Sequence, residues 1–219
     1  MARKKIMLFI VEGPTDETSL STVLSRIFSS DTVRFHVVHG DVLTRDFVTP
    51  DKVVAAVNEQ IKIFRKDVYK PADFCKVVHL TDTDGAFIPE RAVIEDNVNG
   101  RDYPFYTDTQ ILTPDPDKIR DRNARKSKNL ARLSTIGKIG GIPYSFYYFS
   151  SNLDHVLHGS KNLSEAQKIK YSRAFDMEYA DDPNAFIRQD FRSLERHSNF
   201  GIELPAQCTW KSPSIVKEQ

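Results

Sequence analysis

The chain has 219 residues, with 31 basic and 30 acidic side chains, a formal net charge of +1 and 40% hydrophobic residues. This composition is typical of a globular protein with a sizeable core, and it excludes a disordered, fibrous or globally basic chain. The two cysteines lie far apart and have no metal-ligand spacing, so the sequence indicates neither a disulfide framework nor a cysteine-based zinc site. No apolar stretch has the length of a membrane span, and the short run after Arg3-Lys4-Lys5 lacks a cleavage site, so we expect a cytoplasmic protein.

The first two predicted units are each a strand followed by a helix. The apolar run from Ile6 to Val11 predicts a strand buried on both faces, and the turn Glu12-Gly13-Pro14-Thr15-Asp16 follows it. Thr15 is expected to cap a helix. The apolar residues of that helix recur at steps of three and four: Leu20, Val23, Leu24, Ile27 and Phe28. A second strand is predicted from Val33 to Val38, and it leads into Gly40-Asp41. Pro50-Asp51 then opens a helix with these residues on one face: Val53, Val54, Val57, Ile61 and Phe64.

A third buried strand is predicted from Phe74 to Leu80, and it runs directly into Thr81-Asp82-Thr83-Asp84-Gly85. Cys75 lies in this apolar run and is expected to be a buried thiol. The segment from Pro89 to Thr113 has no clean period and many turn formers, which predicts irregular structure with a short strand near Thr109 to Leu112. Lys118 to Lys138 predicts a basic helix.

The last predicted strand, Ile142 to Phe149, ends at Ser150-Ser151-Asn152, and helices are predicted at Ser164 to Arg173 and Pro183 to His197. Strands that alternate with helices predict a mostly parallel, Rossmann-like α/β sheet of about four strands with helices on both faces. We assign residues 1–155 to this domain and residues 156–219 to a helical extension packed on it.

Three carboxylates follow two of the predicted strands at the carboxyl edge of the sheet, where α/β proteins place their sites. Glu12 follows the first strand, and Asp82 and Asp84 follow the third. If these strands are neighbours, their ends lie roughly 5 Å apart, and carboxylates that close repel unless they are protonated or bridged by a cation. Mg²⁺ or Mn²⁺ suits such oxygen ligands. Asp82 and Asp84 would project to the same side if the backbone is still extended there.

Other readings of these acids stay open at this stage. The carboxylates would also suit helix caps or turn amides, and Asp16 would suit a first-turn acid at a helix N-terminus as well as an accessory site residue.

Two motifs resemble the signatures of the TOPRIM domain family. They are Val11-Glu12-Gly13-Pro14-Thr15-Asp16-Glu17 and Leu80-Thr81-Asp82-Thr83-Asp84-Gly85. Topoisomerases, bacterial primases, small maturation ribonucleases and the overcoming-lysogenization-defect nucleases share this domain, and the first motif is most similar to the nuclease branch. The resemblance covers roughly residues 5 to 150. It implies that Glu12 acts as general acid/base or assists metal binding and that Asp82 and Asp84 bind Mg²⁺.

The expected function is metal-dependent phosphodiester hydrolysis, by a nuclease or a nuclease subunit. The turn Ser151-Asn152-Leu153-Asp154-His155 is similar to a motif of RloB-like proteins from restriction and phage-defence loci, and Asp154 and His155 are accessory candidates there. The chain has no ATPase P-loop, so we expect it to lack the ATPase domain of the larger nucleases; an ATPase or another protein of a defence system is a candidate partner.

The basic segment Lys118 to Lys138 is expected to contact the backbone of DNA or RNA, although a solvated helix face would look the same. It carries eight basic residues and one acid, Asp121. The candidate contacts are Arg120, Arg122, Arg125, Lys126, Lys128 and Arg132.

Two further alternatives come from other functional classes. Asp82-Thr83-Asp84-Gly85 also resembles the nucleophile loop of haloacid-dehalogenase-like phosphatases, with Asp82 as the phosphorylated residue. A non-catalytic TOPRIM-like module that binds nucleic acid or protein is the second alternative. A tyrosine nucleophile, as in topoisomerases, stays open because the chain has eight tyrosines.

Overall fold

A computed structural model describes residues 5–27, 33–38, 41–97, 100, 102–182 and 185. The strands are β1 (Ile6–Val11), β2 (Val33–Val37), β3 (Phe74–Asp82), β4 (Val93–Glu95), β5 (Phe105–Tyr106), β6 (Ile111–Thr113), β7 (Lys138–Ile139) and β8 (Ile142–Phe149). The α-helices are α1 (Pro14–Ile27), α2 (Val53–Arg65), α3 (Pro116–Ser134), α4 (Leu153–His158) and α5 (Glu165–Glu178).

The main sheet has five strands in the order β2-β1-β3-β8-β7. The first four are parallel, and β7 pairs antiparallel with β8 as a short hairpin. The prediction of a mostly parallel α/β sheet is therefore confirmed, with one strand more than expected. The strands β1 and β3 are neighbours, as the argument about the acidic residues requires.

Helices cover both faces of the sheet. Successive side chains of a strand point to opposite faces, so a strand that is apolar throughout has an apolar surface to bury on each face. Leu8 and Ile10 of β1 belong to the core formed with α2 and α3, whereas Phe9 and Val11 belong to the core formed with α1 and α4. The helix α5 packs on the outer side of α1, where Phe175 and Tyr179 contact Val23. Apart from Ala185, the predicted helix from Pro183 to His197 lies outside the described residues.

Several local predictions were wrong. The segment from Pro89 to Thr113 contains a small sheet in the order β4-β6-β5 rather than one short strand. These strands have two or three residues each, too few for a period to be visible. Thr15 lies inside the first turn of α1 instead of preceding it. The turn after β8 contains the helix α4, and Cys75 is exposed.

None of the helices in the described part of the chain has the length and apolar character that a membrane span requires.

Candidate metal centre

The loops that follow the parallel strands meet at one edge of the main sheet. Glu12 directly follows β1, and Asp82 is the last residue of β3. The ends of β3 and β8 are tied together, because the Thr83 amide donates to the Phe149 carbonyl (3.0 Å) and the Asp84 amide donates to the Ser151 carbonyl (2.8 Å). Backbone hydrogen bonds therefore hold in place the strand ends that carry Asp82 and Asp84.

Three carboxylates converge at this edge: Glu12, Asp41 and Asp84. One oxygen atom from each lies within 4.8 Å of the other two, which is the arrangement that a shared cation needs. Their side chains keep 19%, 12% and 27% of their surface exposed, respectively, so the group is reachable from solvent without lying open on the surface.

Asp41 was not among the predicted site residues. It follows β2 at the carboxyl edge, just as Glu12 follows β1, so the rule that selected Glu12 would also have selected Asp41. Asp41 lies in neither of the two motifs that resemble the TOPRIM signatures.

Asp82 points away from this group of three. Its Oδ1 accepts a hydrogen bond from the Leu153 amide at the start of α4 (2.9 Å), on the opposite face of the sheet from α3. The expectation that Asp82 and Asp84 project to the same side required extended backbone, but Asp84 has a φ of +47°. Burial, followed by the charge of Glu12, raises the pKa of Asp82 well above its ordinary value. Metal binding by Asp82 stays a prediction.

Glu12 lies between the two faces. Its Oε1 accepts hydrogen bonds from the Thr81 hydroxyl and from the Asp82 amide (3.2 Å). Burial raises the pKa of Glu12 from its ordinary 4.5 to about 8; the Lys126 ammonium opposes this shift, and the charges of Asp41 and Asp84 add to it. Glu12 therefore holds a proton near neutral pH and has the affinity for protons that acid/base chemistry requires.

Lys126 of α3 is fully buried and lies among the three carboxylates. Its Nζ is 2.6 Å from Asp41 Oδ2, 2.6 Å from Asp84 Oδ2 and 3.9 Å from Glu12 Oε1. Since none of its side-chain surface is accessible, the prediction that Lys126 contacts nucleic acid is wrong for this conformation. The error arose because a basic residue in a basic helix was assumed to be on the surface.

The arginines of α3 hold the loops around the site. Arg122 donates to the Asp84 carbonyl (2.7 Å) and the Tyr106 hydroxyl (3.0 Å). Arg125 donates to the Thr44 carbonyl (2.6 Å) and pairs with Asp46. Arg120 donates to the Val93 carbonyl (3.0 Å). Lys128 and Arg132 are exposed, so they have the accessibility that backbone contacts with nucleic acid require.

The predicted accessory residues lie on the other face, near Asp82. Asp16 Oδ2 accepts from the Gly13 amide (3.0 Å), and burial raises the pKa of Asp16 to about 6. Asp154 Oδ2 lies 3.9 Å from Lys168 Nζ, and burial raises the pKa of Asp154. The His155 amide donates to Asn152 Oδ1 (2.8 Å), which caps α4. The charge of Asp16 contributes to the raised pKa of Asp82, and neither Asp16 nor Asp154 belongs to the group of three.

Gly85 shapes the turn that presents Asp84. It has a φ of +70°, and an added Cβ would lie 2.9 Å from Ile111 Cδ1 and 3.0 Å from Ile88 Cδ1. We expect Gly85→Ala to lower the free energy of unfolding by about 2 kcal/mol, because both the φ and the crowding oppose a side chain. Urea unfolding measures this loss. Gly137→Ala is the control, since nothing lies within 4 Å of its added Cβ. Equal losses in the two variants would contradict the strain assigned to Gly85.

The chain matches no protein-family model, no curated protein and no solved structure. A proposal about function therefore depends on the fold and on the side-chain geometry at the carboxyl edge of the main sheet.

Proposed function

We propose that this protein is a TOPRIM-like, metal-dependent nuclease or nuclease subunit that cleaves phosphodiester bonds. The observation that carries the proposal is the convergence of Glu12, Asp41 and Asp84 at the carboxyl edge of a parallel sheet, with oxygen atoms within 4.8 Å of one another. The two motifs that contain Glu12 and Asp84 are those that resemble the TOPRIM signatures.

The residues present fit a hard divalent cation. All three candidate ligands are carboxylates, which Mg²⁺ and Mn²⁺ prefer to nitrogen or sulfur ligands. They come from three different loops, so they surround a point instead of lining one helix face. Asp41 and Asp84 would hold the cation, Glu12 would either share it or transfer a proton, and Asp82 would take part from the α4 side as the resemblance implies.

The chain's own groups supply proton transfer and positioning. Glu12 is protonated near neutral pH in the metal-free protein, so in that form it would give its proton to the leaving oxygen, and only its ionised form would accept a proton from the attacking water. Its hydrogen bonds to Thr81 and the Asp82 amide fix the carboxyl group. Arg122 holds the Asp84 carbonyl and thereby the turn that carries the Asp84 carboxylate. A bound divalent cation neutralises charge on a non-bridging phosphate oxygen and activates water.

A cavity of about 430 Å³ lies beside the Asp84 turn, between the segment 86–90 and α3. Its lining includes Phe87, Lys128 and the acidic Glu90, and it contains none of the three carboxylates. An exposed lysine suits a phosphate group and an accessible aromatic ring suits a base. We propose this cavity as the place where a nucleic-acid substrate continues beyond the metal centre.

The test is Mg²⁺- or Mn²⁺-dependent cleavage of single- and double-stranded DNA and RNA. We expect Glu12→Gln to reduce the rate at least about 100-fold, because a general acid/base contributes at least that factor. Asp84→Asn is expected to lose metal-dependent cleavage as well. Asp67→Asn is the matched control, since Asp67 is exposed in the turn between α2 and β3, at the opposite edge of the sheet.

The outcomes separate several explanations. Cleavage that survives in both site variants would contradict the proposal. Comparing Asp41→Asn with Asp82→Asn shows which of these two aspartates is the third ligand. Metal binding without cleavage by the purified chain would favour a missing partner, such as an ATPase of a phage-defence system, or a non-catalytic binding module.

The phosphatase alternative has less support from the site. A nucleophilic aspartate attacks phosphorus with a free carboxylate oxygen, whereas Asp82 Oδ1 is engaged by the Leu153 amide. Trapping of a phospho-aspartate analogue at Asp82 would nevertheless favour that alternative over the nuclease.

A further inference from the structure

The cation-binding group of the proposed nuclease already contains a cation of its own. The Lys126 ammonium is 2.6 Å from one oxygen of Asp41 and 2.6 Å from one oxygen of Asp84, and it is 3.9 Å from Glu12. The same three carboxylates form the group whose oxygen atoms lie within 4.8 Å of one another. Lys126 is therefore already in contact with the carboxylates that a divalent cation would use.

An ammonium and a divalent cation cannot share these oxygen atoms without strong repulsion. Like charges a few ångströms apart in a partly buried site raise each other's free energy considerably, and Lys126 has no access to bulk water that would screen its charge. Asp41 Oδ1 is also engaged, since it accepts from the Leu43 amide (2.7 Å). The oxygen that Asp41 offers to a new ligand is thus the oxygen in contact with Lys126.

We propose that Lys126 is an internal competitor of the divalent metal: its ammonium fills the site in the metal-free protein and leaves Asp41 and Asp84 when the metal binds. This inference rests on the proposed function only in requiring a metal at these carboxylates. The lysine side chain suits the role because its four-carbon stem is flexible and its charge is a compact point. The competition weakens metal binding and keeps the carboxylates compensated in the absence of metal.

The first experiment measures Mn²⁺ affinity by isothermal titration calorimetry on the full chain. Lys126→Met removes the ammonium and keeps an apolar stem, and we expect it to bind Mn²⁺ at least tenfold more tightly than the unmodified chain. Lys118→Met is the matched control, because Lys118 is an exposed lysine in the first turn of the same helix. Its affinity is expected to stay unchanged.

A second experiment does not depend on the folding of a variant. An amine-acylating reagent followed by mass spectrometry reports the accessibility of each lysine in the unmodified chain. We expect Lys126 to be protected in the presence of EDTA and to become reactive at saturating Mn²⁺, while Lys118 reacts equally in both.

The failure of this inference differs from the failure of the proposed function. If Lys126→Met binds Mn²⁺ with unchanged affinity, the competition is overturned and the proposed function is not. The same holds if Lys126 of the unmodified chain stays protected from acylation at saturating Mn²⁺. The absence of Mn²⁺ binding in both proteins overturns the competition and the metal-dependent nuclease together, and it assigns Lys126 a purely structural ion-pair role.

Discussion

Lys126→Met is expected to lower the free energy of unfolding of the metal-free protein by about 3–5 kcal/mol near neutral pH. Asp41 and Asp84 each lose an ammonium 2.6 Å away, and Glu12 loses the group that most opposes the rise of its pKa. A buried ion pair is costly to break from one side, because the remaining charges stay desolvated and uncompensated.

Urea unfolding in EDTA measures this effect, with Lys118→Met as the control that changes the free energy by no more than about 0.5 kcal/mol. Saturating Mn²⁺ is expected to restore more stability to Lys126→Met than it adds to the unmodified chain, because the metal then supplies the missing positive charge. A loss below about 1 kcal/mol would show that the three carboxylates do not depend on Lys126, since exposed ion pairs contribute no more than that.

The main sheet could be predicted because its strands are buried on both faces. Continuous apolar runs marked β1 and β8 with the bounds that the structure has, and the start of β3 was also predicted. The alternation of strands with helices predicted that the strands run parallel. The strands β4, β5 and β6 could not be found in this way, because two or three residues contain no measurable period.

Candidate site residues could be predicted only where their position after a parallel strand determines their place in the fold. Glu12 and Asp84 were placed correctly at the carboxyl edge, because parallel strands end there together. The direction of the Asp82 side chain depends on the positive φ of Asp84 and on the Leu153 amide, which belongs to an element far along the chain. The helical period of α3 places Lys126 on the same buried face as Ile119 and Leu133, but its contacts with Asp41 and Asp84 depend on how α3 docks against loops far away in the chain.

The stability of the metal-free protein is expected to fall as the pH rises towards 8, and Glu12 should be responsible for a large part of the fall. The pKa of Glu12 is about 8 in the folded protein and 4.5 as its ordinary value. Between these values the folded state keeps a proton that the unfolded state has released. Each such proton lowers the free energy of unfolding by about 1.4 kcal/mol per pH unit, or roughly 5 kcal/mol over the whole interval.

Other buried groups define the window in which Glu12 is best observed. Burial lowers the pKa of His79 from 6.5 to about 3, so His79 makes stability rise with pH below 6.5 and opposes Glu12 there. Asp16, with a pKa raised from 3.8 to about 6, acts in the same direction as Glu12 but only below about 6. Both contributions fade as the pH rises above 6.5, and the raised pKa of Asp82 acts in the same direction as that of Glu12.

Urea unfolding in EDTA at pH 6.5, 7, 7.5 and 8 measures the effect, with Glu12→Gln beside the unmodified chain. Glutamine keeps the shape of a protonated glutamate and does not titrate, so the difference between the two proteins isolates the Glu12 proton. We expect that difference to change by about 2 kcal/mol across the window, in favour of Glu12→Gln as the pH rises. Parallel profiles would mean that Glu12 is already ionised at pH 6.5. The attraction of Lys126 would then outweigh burial, and Glu12 would be a permanent anion rather than an acid/base.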